Sequence, residues 1–301
     1  MKFSKEISLI LPTSIVWLLT ALFLLVFSFD LLNSNPYLEI NQSLFSPGAF
    51  LLFITACVAT VFLYVTGIII DKNPHVTNSL ITGSLLMSGI CLYCTVLGAN
   101  FIVLILVGLP GLGIFLGILA TASNAQYNGH TDVHYRGRIY AGSLFVSAII
   151  SVFIIILVEL FQMDFQVPLF LIGSLAIGTG IFYHFTSRSV VPWVNDKFPT
   201  PLNQIVNRRS VRAFLIAHFL VYLMLGIAFT SISQIGQDRY ADFPFLGEFL
   251  INPTRLFWLF VFLGDFLFVL PMGWLSDKNG RKNTMVMGVY GIVIAALIVG
   301  L

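Results

Sequence analysis

A dense cluster of charged residues separates two long apolar runs near the C-terminal end of the chain. It reads Gly273-Trp-Leu-Ser-Asp-Lys-Asn-Gly-Arg-Lys282, with two glycines, one acid and three bases. Side chains of these types form ion pairs and charge-assisted hydrogen bonds, so Asp277 is expected to accept hydrogen bonds from the backbone or from Arg281. Because short cytoplasmic loops of membrane proteins are rich in Lys and Arg, the cluster predicts a turn that faces the cytoplasm.

Two titratable residues lie inside apolar runs. Asp265 precedes Asp277 by twelve residues on the same predicted helix, a rise of about 18 Å that places it near mid-membrane. A charge at that depth costs free energy, so it is tolerated only where it has a partner or a function. Asp265 therefore predicts a proton or cation site, or a partner for a cationic substrate; the alternative is a neutral carboxyl, hydrogen-bonded inside the bundle. Histidine as a residue type can titrate near neutrality, so His218 is a second candidate; the alternative is that it caps a helix or hydrogen-bonds near the interface.

Three other patterns favour structural roles. The segment His130-Thr-Asp132-Val-His134 has the spacing of a weak metal motif, but we expect a solvated turn and predict no metal or cofactor. The C-x-x-C pair Cys91 and Cys94 lies in an apolar run and is expected to pack there. Small residues at four-residue spacing allow close helix packing, which we favour over a substrate lining for three serines: Ser143, Ser147 and Ser151.

The composition defines a membrane protein. Of the 301 residues, 58% are hydrophobic and 9% are charged, whereas a soluble domain carries about 25% charged residues. The sequence therefore excludes a water-soluble globular protein and predicts an all-α polytopic membrane protein. The P-loop pattern G-x-x-x-x-G-K-[ST] is absent from the sequence, so ATP is not expected to drive the protein.

Nine apolar runs are long enough to span a bilayer, which takes about 20 residues. They are 8–30, 49–70, 78–98, 101–121, 139–161, 167–186, 213–234, 255–276 and 284–301. With the N-terminus inside, the outer segments hold only two basic residues, Arg239 and Arg255. The inner segments hold thirteen: Lys2, Lys5, Lys72, Arg136, Arg138, Arg188, Lys197, Arg208, Arg209, Arg212, Lys278, Arg281 and Lys282. The positive-inside rule therefore predicts a cytoplasmic N-terminus in a multi-pass protein of the plasma (cell inner) membrane.

A repeat relates the two ends of the chain. A shift of 206 residues places Gly67 on Gly273, Asp71 on Asp277 and Lys72 on Lys278, and it superimposes the first two runs on the seventh and eighth. Such a parallel repeat is typical of two transporter halves. It predicts three parts: a six-helix bundle (1–186), a cytoplasmic linker (187–212), and the first three helices of a second bundle (213–301). On this basis we expect twelve helices and roughly 390 residues in the complete protein; the alternative is a genuine nine-span protein.

The motifs resemble those of the major facilitator superfamily of transporters. The second loop carries the full signature: Gly273, Asp277, Lys278, Gly280, Arg281 and Lys282. The first loop keeps Gly67, Asp71 and Lys72, with Pro74 and His75 where the family has glycine and arginine. A third match is Arg136, Arg138 and Gly142, which resembles the start of the family's fifth helix. The resemblance implies a bundle of the family type, in which these loops hold the cytoplasmic ends of the halves together and gate the protein.

The resemblance also implies a function. We expect a non-enzymatic, cofactor-free secondary transporter that is monomeric in the bilayer, moves a small solute and binds no nucleic acid. Alternating access and a proton or cation gradient would drive it, with Asp265 and His218 as coupling or substrate residues. Two departures count against drug efflux: Val107 replaces the antiporter arginine of the fourth span, and residues 139–161 contain no proline. The alternatives are a transport-inactive sensor or scaffold and an integral-membrane enzyme acting on lipid-linked substrates.

Overall fold

The computed structural model describes residues 2–22, 47–97, 108–132, 134–161, 166–187, 212, 216 and 253–300. These residues contain eight α-helices, one 3₁₀ turn and no strand. The helices are α1 (Lys2–Leu22), α2 (Pro47–Lys72), α3 (Thr77–Leu97), α4 (Leu109–His130), α5 (Arg136–Phe161), α6 (Gln166–Thr186), α7 (Pro253–Asn279) and α8 (Arg281–Gly300), and the 3₁₀ turn is Pro74–Val76. The all-helical prediction is confirmed for this part of the chain.

Among the residues that the structure describes, four stretches are long and apolar enough to cross a membrane: Ile54–Lys72, Pro74–Val96, Arg136–Leu157 and Gln166–Thr186. Helices suit such stretches because they satisfy every backbone polar group internally, which a bilayer requires. The structure is therefore that of a helical membrane protein. Within the described residues it shows four such stretches rather than the predicted nine, and the run 213–234 lies outside those residues apart from Ile216.

The chain divides into two compact units, and the division falls within α7. Unit 1 comprises Met1–Val194 and Val261–Gly273, and unit 2 comprises Asn195–Phe260 and Trp274–Leu301. Unit 1 therefore holds the helices α1 to α6 together with the middle of α7. The loop between α7 and α8 belongs to unit 2.

Within unit 1, α3 packs against α4 and α6, α2 packs against α4, and α1 packs against α4, α5 and α6. The core between them is made of leucine and isoleucine side chains that are almost fully buried: Leu18, Leu19, Ile81, Leu85, Leu92, Leu112, Leu119, Leu169 and Ile172. Such side chains supply contact area but little directional preference. Polar and glycine contacts therefore have to specify how the helices cross.

Glycine sets the crossing of α2 and α4. At Gly113, a Cβ atom would lie 2.8 Å from the carbonyl oxygen of Thr55, and a Cβ at Gly117 would meet the carbonyl oxygen of Ala59. The two backbones consequently approach without side chains between them, as in other membrane helix pairs with small residues four apart. One turn further along, the Thr121 hydroxyl donates to the Leu63 carbonyl oxygen at 3.1 Å and joins α4 to α2 again.

Candidate functional site

The crossing of α5 and α7 brings two of the sequence motifs into contact. A Cβ atom at Gly273 would lie 2.8 Å from the Gly137 carbonyl oxygen and would overlap the Ala141 Cβ. Further along both helices, the rings of Phe145 and Phe266 stack at 4.9 Å with an interplanar angle of 16°. Gly137, Ala141 and Phe145 recur every four residues and so share one face of α5. The first glycine of the charged loop thus packs directly on the beginning of α5.

The turn between α4 and α5 is held by Arg136. Its guanidinium donates from Nη2 to the Asn128 carbonyl oxygen at 2.5 Å and from Nε to the Thr131 carbonyl oxygen at 3.2 Å. In return, the Tyr127 hydroxyl donates to the carbonyl oxygen of Arg136. A cation at a helix C-terminus also interacts favourably with the helix dipole. Arg136, predicted as a gating residue, therefore caps α4 within unit 1, and Arg138 lies 5.7 Å above the Tyr135 ring.

In the segment predicted as a turn, His130 ends α4 and Asp132 begins a turn. One carboxylate oxygen of Asp132 accepts the backbone N–H of His134 at 3.0 Å, and its carbonyl oxygen accepts the N–H of Tyr135 at 3.1 Å. Aspartate commonly stabilises turns in this way. Across the described ranges, no three His, Cys, Asp or Glu side chains group as metal ligands would.

The charged loop forms a sharp corner between α7 and α8. Gly280 separates the helices with φ +84°, a left-handed conformation that glycine adopts without steric cost. The chain is then held by the Thr284 N–H, which donates to the Gly280 carbonyl oxygen at 3.2 Å. Lys278 lies on one side of this corner, with its Nζ 4.8 Å from the centre of the Trp274 ring. Of the signature residues, Asp277 is half-buried, and the bases Lys278, Arg281 and Lys282 are exposed.

The first signature loop turns differently. A Cβ atom at Gly67 of α2 would lie 4.0 Å from the Thr121 Cγ2, an ordinary van der Waals distance. The exposed Asp71 and Lys72 end the helix. Pro74 then starts the 3₁₀ turn, which the Thr77 hydroxyl closes by donating to the Pro74 carbonyl oxygen at 2.7 Å. Because proline fixes a negative φ, this loop cannot adopt the left-handed corner of Gly280. The two loops thus share an Asp-Lys pair at the end of the first helix, but neither the later bases nor the backbone path.

Asp265 lies on α7 beside the α5 contact. Its neighbour Phe266 makes the ring contact with Phe145, while the Asp265 side chain itself is exposed. Apolar side chains surround it in the sequence, including the exposed Leu267 and Phe268. The carboxyl is therefore accessible at the edge of the α5–α7 crossing. The other predicted coupling residue, His218, lies outside the described residues.

The small-residue stripe on α5 is buried, with Ser143, Ser147 and Ser151 exposed by 4% or less. Tyr140 shares that face, and its ring meets Trp17 of α1 edge-on at 5.9 Å. The serines therefore face α1, and the close-packing interpretation fits. A Cβ at Gly142, in contrast, meets no atom within 4 Å, so this predicted motif glycine makes no tight contact.

The cysteine motif packs as predicted. Cys91 and Cys94 are free thiols, and Cys91 is buried. Its sulfur lies 2.9 Å from the position of a Cβ at Gly111, so α3 and α4 approach closely there. Of the contact residues, Gly137 lies in the predicted R-G-R-x-x-x-G motif, whereas Ala141 and Phe145 were not singled out from the sequence. Their four-residue spacing was the available signal, but a spacing does not name the helix that it contacts.

The described fold and motifs define an all-helical protein of membrane type. Comparisons with known protein families, with curated proteins and with solved structures find no match. The function of the chain must therefore be argued from its own residues and their geometry.

Proposed function

We propose that the protein is a secondary active transporter of the major facilitator type, which moves a small solute by alternating access. The observation that carries this proposal is the contact of Gly273 with Gly137 and Ala141. These residues belong to two separate signature segments, which the family resemblance assigns to one gating apparatus. Their direct contact is what that assignment requires.

The contact between α5 and α7 would allow the two helices to move relative to each other; we call it the joint. Where glycine and alanine meet, no long side chain interlocks the two helices, and their backbones can rotate about the contact with little steric hindrance. The ring pair Phe145–Phe266 adds a flat surface on which the same two helices can slide. In the proposed architecture, α1 to α6 form one six-helix half, and α7 and α8 belong to a second, parallel half.

Asp265 would couple the movement to an ion gradient. Its carboxyl lies beside the joint and is exposed, so it can take up and release a proton or a cation as the halves rock. One charge crossing the membrane supplies about 2.3 kcal/mol per 100 mV, enough for roughly fiftyfold accumulation of a solute. A cationic solute could pair with the same carboxylate.

The charged corner residues would form the cytoplasmic gate. Gly280 turns the chain sharply, so Asp277 and Arg281 lie on either side of one bend, four residues apart. Asp71 and Lys72 occupy the equivalent end of α2, and Arg138 stands at the start of α5. In the proposed cycle, these charged helix ends gate the cytoplasmic side.

A labelling experiment tests alternating access without knowing the solute. Cysteine is introduced at Asp265 in a protein lacking Cys57, Cys91 and Cys94, and an impermeant maleimide is applied to right-side-out and inside-out vesicles. We expect labelling from both sides, because the site opens to each side in turn. The control is Leu267→Cys, which lies about 200° away around the helix. In the proposed arrangement this exposed position faces lipid, where the water-soluble reagent does not reach, so it should label from neither side. Labelling of position 265 from one side only would refute transport and favour a single-state sensor or scaffold.

A further inference from the structure

A buried polar cluster joins the ends of α3, α4 and α6 that are predicted to face the cytoplasm. It consists of Asn78, Gln126 and Tyr183, which lie on three different helices. Tyr183 is exposed by 1% and Gln126 by 6%. None of the three has a role in the proposed transport, and each is an unusual choice for the interior of an apolar bundle.

The three side chains satisfy one another. Gln126 donates from Nε2 to the Asn78 Oδ1 at 2.9 Å, and the Tyr183 hydroxyl lies 3.0 Å from the same oxygen. The Tyr183 hydroxyl is also within hydrogen-bonding distance of the Gln126 Oε1. Its one proton serves one of the two acceptors at a time, so two of the three contacts are hydrogen bonds at any moment, and we call this set of three mutual contacts the ring.

The ring extends to the point where the chain leaves α6. Asn78 donates from Nδ2 to the carbonyl oxygen of Ser187 at 3.4 Å, and Ser187 is itself buried. Ser187 is the first residue after α6, at the beginning of the predicted linker. The exit of the chain from this bundle is thereby connected to the first turn of α3.

The ring fixes the relative position of the helix ends, which the surrounding apolar core does not. Leucine and isoleucine contacts tolerate sliding, whereas a buried hydrogen bond is lost when its groups separate by about an ångström. Removal of the Tyr183 hydroxyl keeps the Gln126–Asn78 hydrogen bond but takes a donor away from two buried amide oxygens, so the three groups act cooperatively. The ring therefore selects one relative placement of the three helix ends.

We propose that Asn78, Gln126 and Tyr183 form a latch that locks the inner ends of α3, α4 and α6 together and holds the chain exit at Ser187 against α3. The latch makes this end of the helix group a rigid body. It does not depend on whether the protein moves a solute, because it concerns only contacts inside unit 1.

The same two helices provide a matched control. Tyr93 of α3 and Ser174 of α6 also join by their hydroxyl groups, at 2.6 Å. The Tyr93 ring stacks on Phe170 at 4.9 Å, and Phe170 is 53% exposed. Tyr93→Phe and Tyr183→Phe therefore delete the same atom from the same helix pair, once at the surface and once inside the ring.

The test is limited trypsin digestion of the full chain in lipid nanodiscs, following cleavage after Arg188, one residue beyond Ser187. We expect Tyr183→Phe to raise the cleavage rate about tenfold, since it removes a buried hydrogen bond, while Tyr93→Phe changes it less than about twofold. Thermal unfolding should shift downward for Tyr183→Phe alone. Combining Tyr183→Phe with Gln126→Leu should add little, because either change already opens the ring.

Two results would overturn the latch. One is a cleavage rate for Tyr183→Phe equal to that of the unmodified protein. The other is an equal increase for Tyr93→Phe, which would mean that any α3–α6 contact has this effect. Because Tyr183→Phe keeps the ring of the side chain and its volume, it remains informative even if Asn78→Leu or Gln126→Leu fails to fold.

Discussion

Gly273 of α7 and Gly137 of α5 lie so close that a Cβ atom at position 273 would fall 2.8 Å from the Gly137 carbonyl oxygen. Real Cβ atoms essentially never approach an oxygen so closely. The α5–α7 crossing therefore depends on the absence of a side chain at one position. This dependence allows the contact to be broken by a single substitution.

Replacement of Gly273 by valine should destabilise the protein. The added side chain overlaps Ala141 and the Gly137 backbone, and overpacking of this kind costs about 1–3 kcal/mol. The measurement is the thermal unfolding midpoint in detergent. Gly264→Val on the same helix is the control, because a Cβ there meets nothing within 4 Å. Equal midpoints for the two variants would show that the crossing is not tightly packed.

The stability of variants at position 280 should depend on whether the new residue tolerates a positive φ, not on its size. At φ +84°, an alanine costs about 1–2 kcal/mol, whereas asparagine tolerates the left-handed region better. Gly280→Ala should therefore unfold at a lower temperature than Gly280→Asn. Gly288→Ala on α8, where φ is not positive and space is open, serves as the control. An alanine variant as stable as the asparagine variant would contradict the left-handed corner.

Asp265→Asn should separate ion coupling from solute binding. The amide imitates a permanently protonated carboxyl, so ion-driven accumulation should be lost while exchange of preloaded solute largely remains. Exchange need not release the proton. Both are measured in proteoliposomes across a range of external pH, once a solute is identified. A pH dependence of uptake that is unchanged in the variant would remove Asp265 from the coupling mechanism.

The membrane orientation can be checked with two cysteines. Placed singly at Ser43 and Asn203 in a protein without its native cysteines, they should react with an impermeant thiol reagent from opposite sides. The reason is the distribution of bases, thirteen on the predicted inner side against two on the outer side. Labelling of intact vesicles reports one side of the membrane, and labelling of inside-out vesicles reports the other. Reaction of both positions from one side would rule out the nine-span topology.

Local features were predictable from the sequence, whereas tertiary partners were not. The corner at Gly280 and the turn at Asp132 follow from residues whose backbone preferences act over a few positions. The Gly137–Gly273 contact and the Asn78–Gln126–Tyr183 ring join residues about 50 to 140 positions apart. Membrane helices are apolar on nearly all sides, so no amphipathic stripe shows which face meets which neighbour.

The role of individual motif residues was also only partly predictable. Arg136 has the type and position of a gating residue, yet its guanidinium is engaged by the carbonyl oxygens of Asn128 and Thr131. Gly142 matches the motif, but it is Gly137 that makes the close approach. A motif specifies residue types at a spacing, whereas the contact made depends on the angle at which the next helix crosses.

The adjacent residues Gln126 and Tyr127 limit how α4 can move. Gln126 binds Asn78 of α3, while Tyr127 binds the Arg136 carbonyl oxygen at the beginning of α5. Neighbouring residues project about 100° apart around a helix, so these two bonds pull on different sides of the same turn. A twist of α4 about its own axis would break one or the other. Any displacement of this helix must therefore be a tilt or a translation that carries α3 and the α5 end with it.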